Sequence, residues 1–235
     1  MLRAIFFDFN GVLVDDEVIH QELFHEVLSE EGVSLSKEDY YENYVGCDDR
    51  GCFTLALESA GREVDPGLLM RLIARKASYY RDRIRRDGFE FFPGAEDLVK
   101  AAAADSITLA VVSGALRQEI EDALAQAELR DFFKVVVSSE DVRAGKPNPE
   151  GYLRALRELN SRSPLPERLF HPHEILAIED TPPGLQAAAG AGLVTLGVAQ
   201  TFARDELSAA DVLADNLEGL SMEELQRQFA EASLR

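Results

Sequence analysis

The chain has 235 residues, of which 46% are hydrophobic and 29% are charged, so it can bury a globular core rather than remain disordered. Its 24 basic and 43 acidic residues leave a net charge of −19, which argues against nucleic acid or an anionic membrane as the main partner. No apolar run approaches the ~18 residues of a membrane-spanning helix, and Asp8 comes too early for a signal peptide, so we expect a cytoplasmic protein.

Short apolar runs rich in β-branched residues alternate with helical segments along most of the chain. The runs predicted to be buried strands are Ala4–Phe9, Ile107–Val112, Val135–Val137, Ile175–Ile178 and Leu193–Val198. The helices predicted between and after them are Gly94–Ala104, Leu116–Ala127, Pro149–Asn160, Pro183–Ala191 and Ser221–Phe229. Repeated strand–helix units predict an α/β protein with a Rossmann-like parallel sheet and helices on both faces.

Residues 15–89 interrupt this alternation, because apolar residues recur there at helical spacing and no strand pattern is present. The segment is too long for a simple crossover between two parallel strands. We therefore predict two domains, an α/β core formed by residues 1–14 and 90–235 and an inserted helical domain formed by residues 15–89. The insert also holds both cysteines, Cys47 and Cys52, which lack a CxxC spacing and are expected to be reduced thiols.

Polar residues lie at or just after the ends of four of the predicted strands, at the edge where α/β proteins bind ligands. In chain order these residues are Asp8, Asn10-Gly11, Ser113-Gly114, Lys146-Pro147 and Glu179-Asp180. Taken alone, each pair has a plainer explanation as a turn, a helix cap, a loop or a helix start. Together they predict one site, since carboxylates bind a hard cation such as Mg²⁺ and hydroxyl, backbone N–H and lysine groups bind phosphate oxygens.

These strand ends resemble the motifs of the haloacid dehalogenase superfamily, in its helical-cap branch of β-phosphoglucomutase-like and phosphoglycolate phosphatase-like hydrolases. The motifs are Asp8-Phe9-Asn10-Gly11-Val12-Leu13-Val14-Asp15, Val112-Ser113-Gly114, Gly145-Lys146-Pro147-Asn148-Pro149 and Ile178-Glu179-Asp180-Thr181. The resemblance spans nearly the whole chain and implies a Mg²⁺-dependent hydrolase of a small phosphate monoester. Its partner is then a small phosphorylated metabolite, and we expect the protein to be a monomer.

The resemblance implies that the first motif supplies the nucleophile and that the first and fourth motifs together bind the metal. Asp8 attacks phosphorus and forms an aspartyl-phosphate. Mg²⁺ is bound by Asp8, the backbone carbonyl of Asn10 and Asp180, with Glu179 as a further ligand or a neighbour of the ligands.

The resemblance implies that the second and third motifs bind the transferred phosphoryl group. Ser113 and the backbone N–H of Gly114 hold this group, and Lys146 neutralises both it and the nucleophile. A dehalogenase is disfavoured, because that chemistry does not call for the paired acids of the fourth motif.

The inserted domain is expected to act as a cap that closes over the site and selects the substrate. Arg50, in Gly46-Cys47-Asp48-Asp49-Arg50, resembles the arginine of the family's substrate loop, and Lys76 and His20 match a cap lysine and a hinge histidine. The plainer alternatives are a solvated arginine at a helix start, a surface lysine and a structural histidine.

Asn10 departs from the family pattern, in which an aspartate two residues after the nucleophile acts as general acid and base. An amide can do neither, and such help is worth roughly 10²–10⁴ in rate. One alternative is therefore a weakened member that binds a phosphorylated ligand as a sensor or partner protein. A sugar phosphomutase is a further alternative, disfavoured because it needs the acid and base in both half-reactions. Chemistry is retained if the leaving group is good or if a neighbour supplies the proton, the candidates being Asp15, Asp16, Glu17 and His20. A further alternative is that the chain is an engineered trap.

Overall fold

The computed structural model describes residues 1–234, which divide into two compact units. One unit comprises Met1–Asp15 together with the chain from Phe91 onward, and the other comprises Asp16–Glu90. Each unit is described by itself below.

The first unit is built on one parallel sheet. Within the described residues its strands are β1 (Ala4–Phe7), β2 (Thr108–Val112), β3 (Phe133–Val137), β4 (Ile175–Glu179), β5 (Val194–Val198) and β6 (Val212–Ala214). They lie in the order β3-β2-β1-β4-β5-β6, and every neighbouring pair is parallel. The predicted α/β class and parallel sheet are confirmed.

Helices fill the rest of the regular structure in both units. In chain order they are α1 (Glu17–Glu30), α2 (Lys37–Asn43), α3 (Asp49–Ser59), α4 (Pro66–Asp87), α5 (Ala95–Ala104), α6 (Arg117–Gln126), α7 (Glu150–Ser161), α8 (Pro182–Gly190) and α9 (Met222–Ala232). Within the described chain, no helix combines the length and the apolar character that crossing a bilayer requires.

The central strand β1 is buried on both faces of the sheet, which explains why its sequence is a continuous apolar run. Phe6 stacks on the ring of Tyr152 in α7, at a centroid distance of 6.5 Å, within a core cluster that also includes residues of α8. Ile5 and Phe7 alternate to the opposite face and are equally buried.

The strands of the sheet differ from the sequence prediction at several of their ends, and one strand was not predicted. β1 ends at Phe7 rather than Phe9, because the chain then turns through Gly11, whose φ is +76°. β3 begins at Phe133, and it includes Lys134, whose ammonium reaches the carbonyl of Pro164 at 2.8 Å. The sequence did not predict β6, a three-residue edge strand whose residues are only half-buried.

The helical unit is a bundle in which α1 and α3 both pack on α4. Phe24 of α1 and Phe53 of α3 meet edge to face, with ring centroids 4.9 Å apart. The Asp65 carboxylate accepts the N–H of Leu68 at 2.7 Å and caps the start of α4, and Gly88 is the C-cap after its last residue.

The two points where the chain leaves and re-enters the first unit lie side by side. Val14 forms an antiparallel β-bridge with Phe91, and the N–H of Phe92 donates to the carbonyl of Leu13 at 3.0 Å. Main-chain pairing within the first unit therefore closes the insertion point.

Candidate active site

Asp8 and Lys146 meet at the carboxyl edge of the sheet. Asp8 follows β1 directly, and its N–H still pairs with the carbonyl of Ile178 in β4 at 3.0 Å. One carboxylate oxygen of Asp8 accepts the N–H of Phe9 at 2.7 Å, and the other lies 2.7 Å from the ammonium of Lys146. The same ammonium lies 2.7 Å from Oε1 of Glu179, so one lysine is shared by two carboxylates.

Three ionisable side chains at this edge, Lys146, Glu179 and Asp180, are nearly buried and have shifted pKa values. Burial opposes the charge on Lys146, but Asp8 and Glu179 outweigh this effect and raise the pKa of the lysine. Burial is the main cause that raises the pKa values of Glu179 and Asp180, and the charge of Asp8 adds to it in both. Because both groups are buried and three acids share one lysine, the ionised forms of Glu179 and Asp180 are disfavoured at this edge of the sheet.

The three acids fit a hard divalent cation. Asp8, Glu179 and Asp180 each offer a carboxylate oxygen within 4.8 Å of the others. Among the described residues, Oε2 of Glu179 and Oδ1 of Asp180 are buried with no hydrogen-bond partner. A buried acceptor without a hydrogen-bond partner lowers the stability of the fold. Carboxylate oxygens are also the ligands that Mg²⁺ prefers, so a bound cation would satisfy these two atoms.

Two glycines make room for these carboxylates. A Cβ on Gly11 would lie 1.9 Å from Oδ2 of Asp180, and a Cβ on Gly184 would lie 1.9 Å from Oε2 of Glu179. Any larger residue at either position would push a carboxylate away.

Ser113 and Gly114 lie at the end of the neighbouring strand, β2. The Ser113 N–H pairs with the carbonyl of Val137 at 3.0 Å, and its hydroxyl oxygen accepts the N–H of Ala115 at 3.0 Å. Ser113 is buried and Gly114 is half-buried. Asn10 is half-buried in the turn after β1, where it forms a β-bridge with Val14.

The other predicted binding residues lie in the helical unit. Lys76 is only 1% exposed, so it is not a surface lysine. Its ammonium lies 2.5 Å from Oδ1 of Asp49, 2.7 Å from Nδ1 of His20 and 4.3 Å from the centre of the Phe24 ring. Arg50 is exposed in the first turn of α3.

A second carboxylate anchors this cluster in the helical unit. Oδ2 of Asp16 lies 3.2 Å from Nε2 of His20 and 2.5 Å from the hydroxyl of Tyr80. The His20 ring stacks on the Tyr80 ring, with centroids 4.9 Å apart. His20 is therefore held on both ring nitrogens, by Asp16 and by Lys76.

Three residues at the sheet edge escaped the sequence analysis. The Tyr152 hydroxyl donates to Oε1 of Glu179, and the ammonium of Lys146 lies 5.9 Å from the centre of its ring. Gln200 donates to the carbonyl of Gly11 at 2.8 Å, and the Thr201 side chain hydrogen-bonds Asp180. Gln200 and Thr201 follow β5, so reading a fifth strand end would have found them, whereas Tyr152 inside α7 gave no signal.

Comparison with known proteins supports the same family. Residues 5–198 match the family described as haloacid dehalogenase-like hydrolase. The protein CbbY of Rhodobacter capsulatus is 29% identical, over 89% of this chain and 91% of its own length. The phosphorylated carbohydrates phosphatase of Thermotoga maritima is 26% identical, over 82% of both chains.

Solved structures agree with this assignment. CbbY from Rhodobacter sphaeroides in complex with phosphate has a TM-score of 0.82 at 26% identity, covering 96% of this chain and all of that one. A mutant of the same protein was solved with xylulose-(1,5)-bisphosphate, with a TM-score of 0.82, 27% identity and 96% and 99% coverage. The β-phosphoglucomutase of Clostridium difficile shares the fold, with a TM-score of 0.87 at 22% identity over both whole chains. The chain therefore belongs to the haloacid dehalogenase-like hydrolase family, as its four motifs predicted.

Proposed function

We propose that the chain is a Mg²⁺-dependent phosphatase of small phosphorylated sugars that works through an aspartyl-phosphate on Asp8. The observation that carries the proposal is the ion pair of Asp8 with Lys146, 2.7 Å apart beside two further buried acids. The phosphorylated carbohydrates phosphatase and the complex of CbbY with a sugar bisphosphate support the substrate class.

Asp8 is the proposed nucleophile because both of its carboxylate oxygens are held in place. The Phe9 N–H donates to one oxygen and the Lys146 ammonium lies 2.7 Å from the other, which orients the carboxylate for attack. Its attack forms a bond from oxygen to phosphorus and breaks the bond from phosphorus to the ester oxygen. That oxygen leaves with the bonding electrons and takes up a proton from water to give the substrate alcohol. Water then cleaves the acyl phosphate, which frees phosphate and restores the carboxylate.

The proposed metal ligands are Asp8, Asp180 and the backbone carbonyl of Asn10, with Glu179 as a ligand or close neighbour. When bound, Mg²⁺ supplies positive charge that stabilises the phosphoryl oxygens. The unpartnered oxygens of Glu179 and Asp180 support this assignment.

Ser113 and Gly114 are proposed to hold the phosphoryl oxygens. Since the Ser113 hydroxyl oxygen already accepts the N–H of Ala115, its own hydrogen is left to donate elsewhere. The backbone N–H of Gly114 is the second proposed donor, and the ammonium of Lys146 adds charge.

The proposed substrate-binding residues of the helical unit are Arg50, Lys76 and His20. Lys76 is held by Asp49 and His20, so its position is set before any ligand arrives. Exposed Arg50 provides a charge suited to a second anionic group of the substrate.

Asn10 favours a second candidate function, that of a weakened enzyme that binds a phosphorylated ligand as a sensor or partner protein. An amide neither protonates the leaving oxygen nor activates water, and the loss is roughly 10²–10⁴ in rate. A sugar phosphomutase fits less well, because both of its half-reactions need that acid and base.

A panel of phosphate esters with good and poor leaving groups tests the proposal, using the parent, Asp8→Asn and Asn10→Asp with Mg²⁺. We expect hydrolysis by the parent, less than about a tenth of it in Asp8→Asn, and a higher kcat in Asn10→Asp, most of all for poor leaving groups. Saturable binding without turnover in the parent would favour the sensor. Intact mass must exclude deamidation of Asn10-Gly11, which would mimic the aspartate variant.

A further inference from the structure

The two cysteines occupy paired positions at the start of α3. Asp48 caps this helix, and its carboxylate accepts the N–H of Gly51 at 2.7 Å. Cys47 is the residue before the cap, and Cys52 is the fourth residue of the helix. In the hydrophobic staple, the side chains at these two positions pack against each other.

The contacts of the two thiols agree with this geometry. The Cys47 and Cys52 side chains hydrogen-bond each other. Both residues also reach the carbonyl of Tyr44, with the Cys47 N–H at 3.1 Å and the Cys52 thiol at 3.4 Å. A Cβ on Gly51 would lie 4.0 Å from Sγ of Cys47, so that sulfur lies against the first turn of the helix.

The two thiols differ in exposure and in acidity. Cys47 is exposed, whereas Cys52 is only 2% exposed. The hydrogen bond from Cys52 lowers the pKa of Cys47, against the opposing effects of burial and Asp48, and the same bond and burial raise the pKa of Cys52. An accessible, more acidic thiol beside a protonated partner is the arrangement of a redox-sensitive cysteine and its resolving cysteine.

We infer that Cys47 and Cys52 are a reversible oxidation site, in which a hydroperoxide oxidises Cys47 and Cys52 closes an intramolecular disulfide. The Cys47 thiolate attacks the terminal peroxide oxygen, the O–O bond breaks, and after proton uptake an alcohol or water leaves and a sulfenic acid remains. The Cys52 sulfur then attacks the sulfenic sulfur, and an S–S bond forms. The hydroxyl of the sulfenic acid departs as water with the proton of Cys52.

Formation of this disulfide would constrain the residues between the two cysteines. These include Asp48, which caps α3, and Asp49, whose carboxylate lies 2.5 Å from the ammonium of Lys76. The site therefore links the redox state of the chain to the charged cluster of the helical unit.

The test is peptide mapping of the reduced full chain after exposure to hydrogen peroxide. Trypsin cleaves after Arg50, between the two cysteines, so a disulfide would join two otherwise separate peptides. We expect that joined product, an intact mass lower by two hydrogen atoms, and recovery of both thiols with dithiothreitol. A parent chain that gains oxygen instead, or keeps both thiols, would overturn the inference.

Two serine variants assign the roles of the thiols. In Cys47→Ser, peroxide should oxidise the remaining thiol of Cys52 at least about tenfold more slowly than it oxidises the thiols of the parent, because the acidic, exposed sulfur is gone. Cys52→Ser should retain a sulfenic acid on Cys47 that dimedone traps. Equal oxidation rates in Cys47→Ser and the parent would contradict the assignment. The parent mapping decides the inference even if a variant fails to fold, and none of these measurements depends on phosphatase activity.

Discussion

Replacing Gly11 by alanine should disable the proposed active site with only a modest cost in stability. The added Cβ would lie 1.9 Å from Oδ2 of Asp180 and 2.8 Å from Oγ1 of Thr201. Since ordinary contact begins at 3.4 Å, the Asp180 oxygen must retreat by about 1.5 Å (3.4 − 1.9). A misplacement of ~1 Å in a catalytic arrangement can cost ~100-fold in rate, and we expect a loss in turnover of at least that size.

The backbone strain of this substitution has a matched control in the same unit. Gly11 has a φ of +76°, and Gly219 has a φ of +73° with none of the described atoms within 4 Å of an added Cβ. Left-handed backbone costs a non-glycine residue about 1–2 kcal/mol, so both alanine variants should lose that much free energy of unfolding. Only Gly11→Ala should also lose turnover.

Urea unfolding and steady-state hydrolysis of the best phosphate ester measure these two effects separately. If Gly11→Ala keeps more than about a tenth of the parent turnover, the displacement of Asp180 is not the controlling effect. Equal losses of turnover in both variants would assign the defect to backbone strain alone.

Four further substitutions test other parts of the structure. Asp180→Ala should weaken Mg²⁺ binding in titration calorimetry, because a hard cation needs carboxylate ligands; an unchanged affinity would remove Asp180 from the proposed ligands. Arg50→Ala should raise KM for the preferred sugar phosphate and leave a small aryl phosphate unaffected, and an equal loss for both would refute a role in specificity. Tyr152→Phe keeps the ring but removes the hydrogen bond to the buried Glu179 carboxylate. Such a bond is worth about 1.5–3 kcal/mol, so kcat should fall about tenfold or more with KM unchanged. A variant with the full kcat of the parent would contradict this role. Although burial opposes it, hydrogen bonds from a backbone N–H and two arginines hold the pKa of Glu174 at about 2, against an ordinary value of 4.5. Glu174 therefore stabilises the fold above pH 4.5 and loses that contribution as pH falls towards 2. Glu174→Gln should lower the free energy of unfolding by about 1–3 kcal/mol at neutral pH, and that free energy should fall less steeply with acid than in the parent. An equally steep fall in both proteins would refute the role of Glu174.

The sheet and the acids at its edge were predictable because each depends on local sequence. A strand buried on both faces must be continuously apolar, as Ala4–Phe7 is, and the polar residues that follow mark the strand end. Asp8, Glu179 and Asp180 could be placed at one edge of the sheet because the carboxyl ends of parallel strands meet there.

Features that depend on contacts between residues far apart in the chain produce no such pattern in the sequence. Tyr152 lies within a helix, and its role depends on Glu179, which is 27 positions away in the chain. The burial of Lys76 likewise depends on Asp49 and His20, which come from two other helices. Charged residues are exposed by default in sequence reasoning, and only tertiary packing shows which of them are paired.

The closed insertion point bears on how such a chain can diversify. Because the Val14–Phe91 bridge and the hydrogen bond from Phe92 to Leu13 join the two chain crossings within the first unit, the helical unit is attached to the sheet as a single loop would be. Insertions are tolerated where their two ends meet at such a point. The helical unit can therefore be lengthened, repacked or exchanged without altering the register of the sheet that holds Asp8. Under the proposed function, substrate preference and phosphoryl chemistry would then be free to evolve on separate parts of one gene.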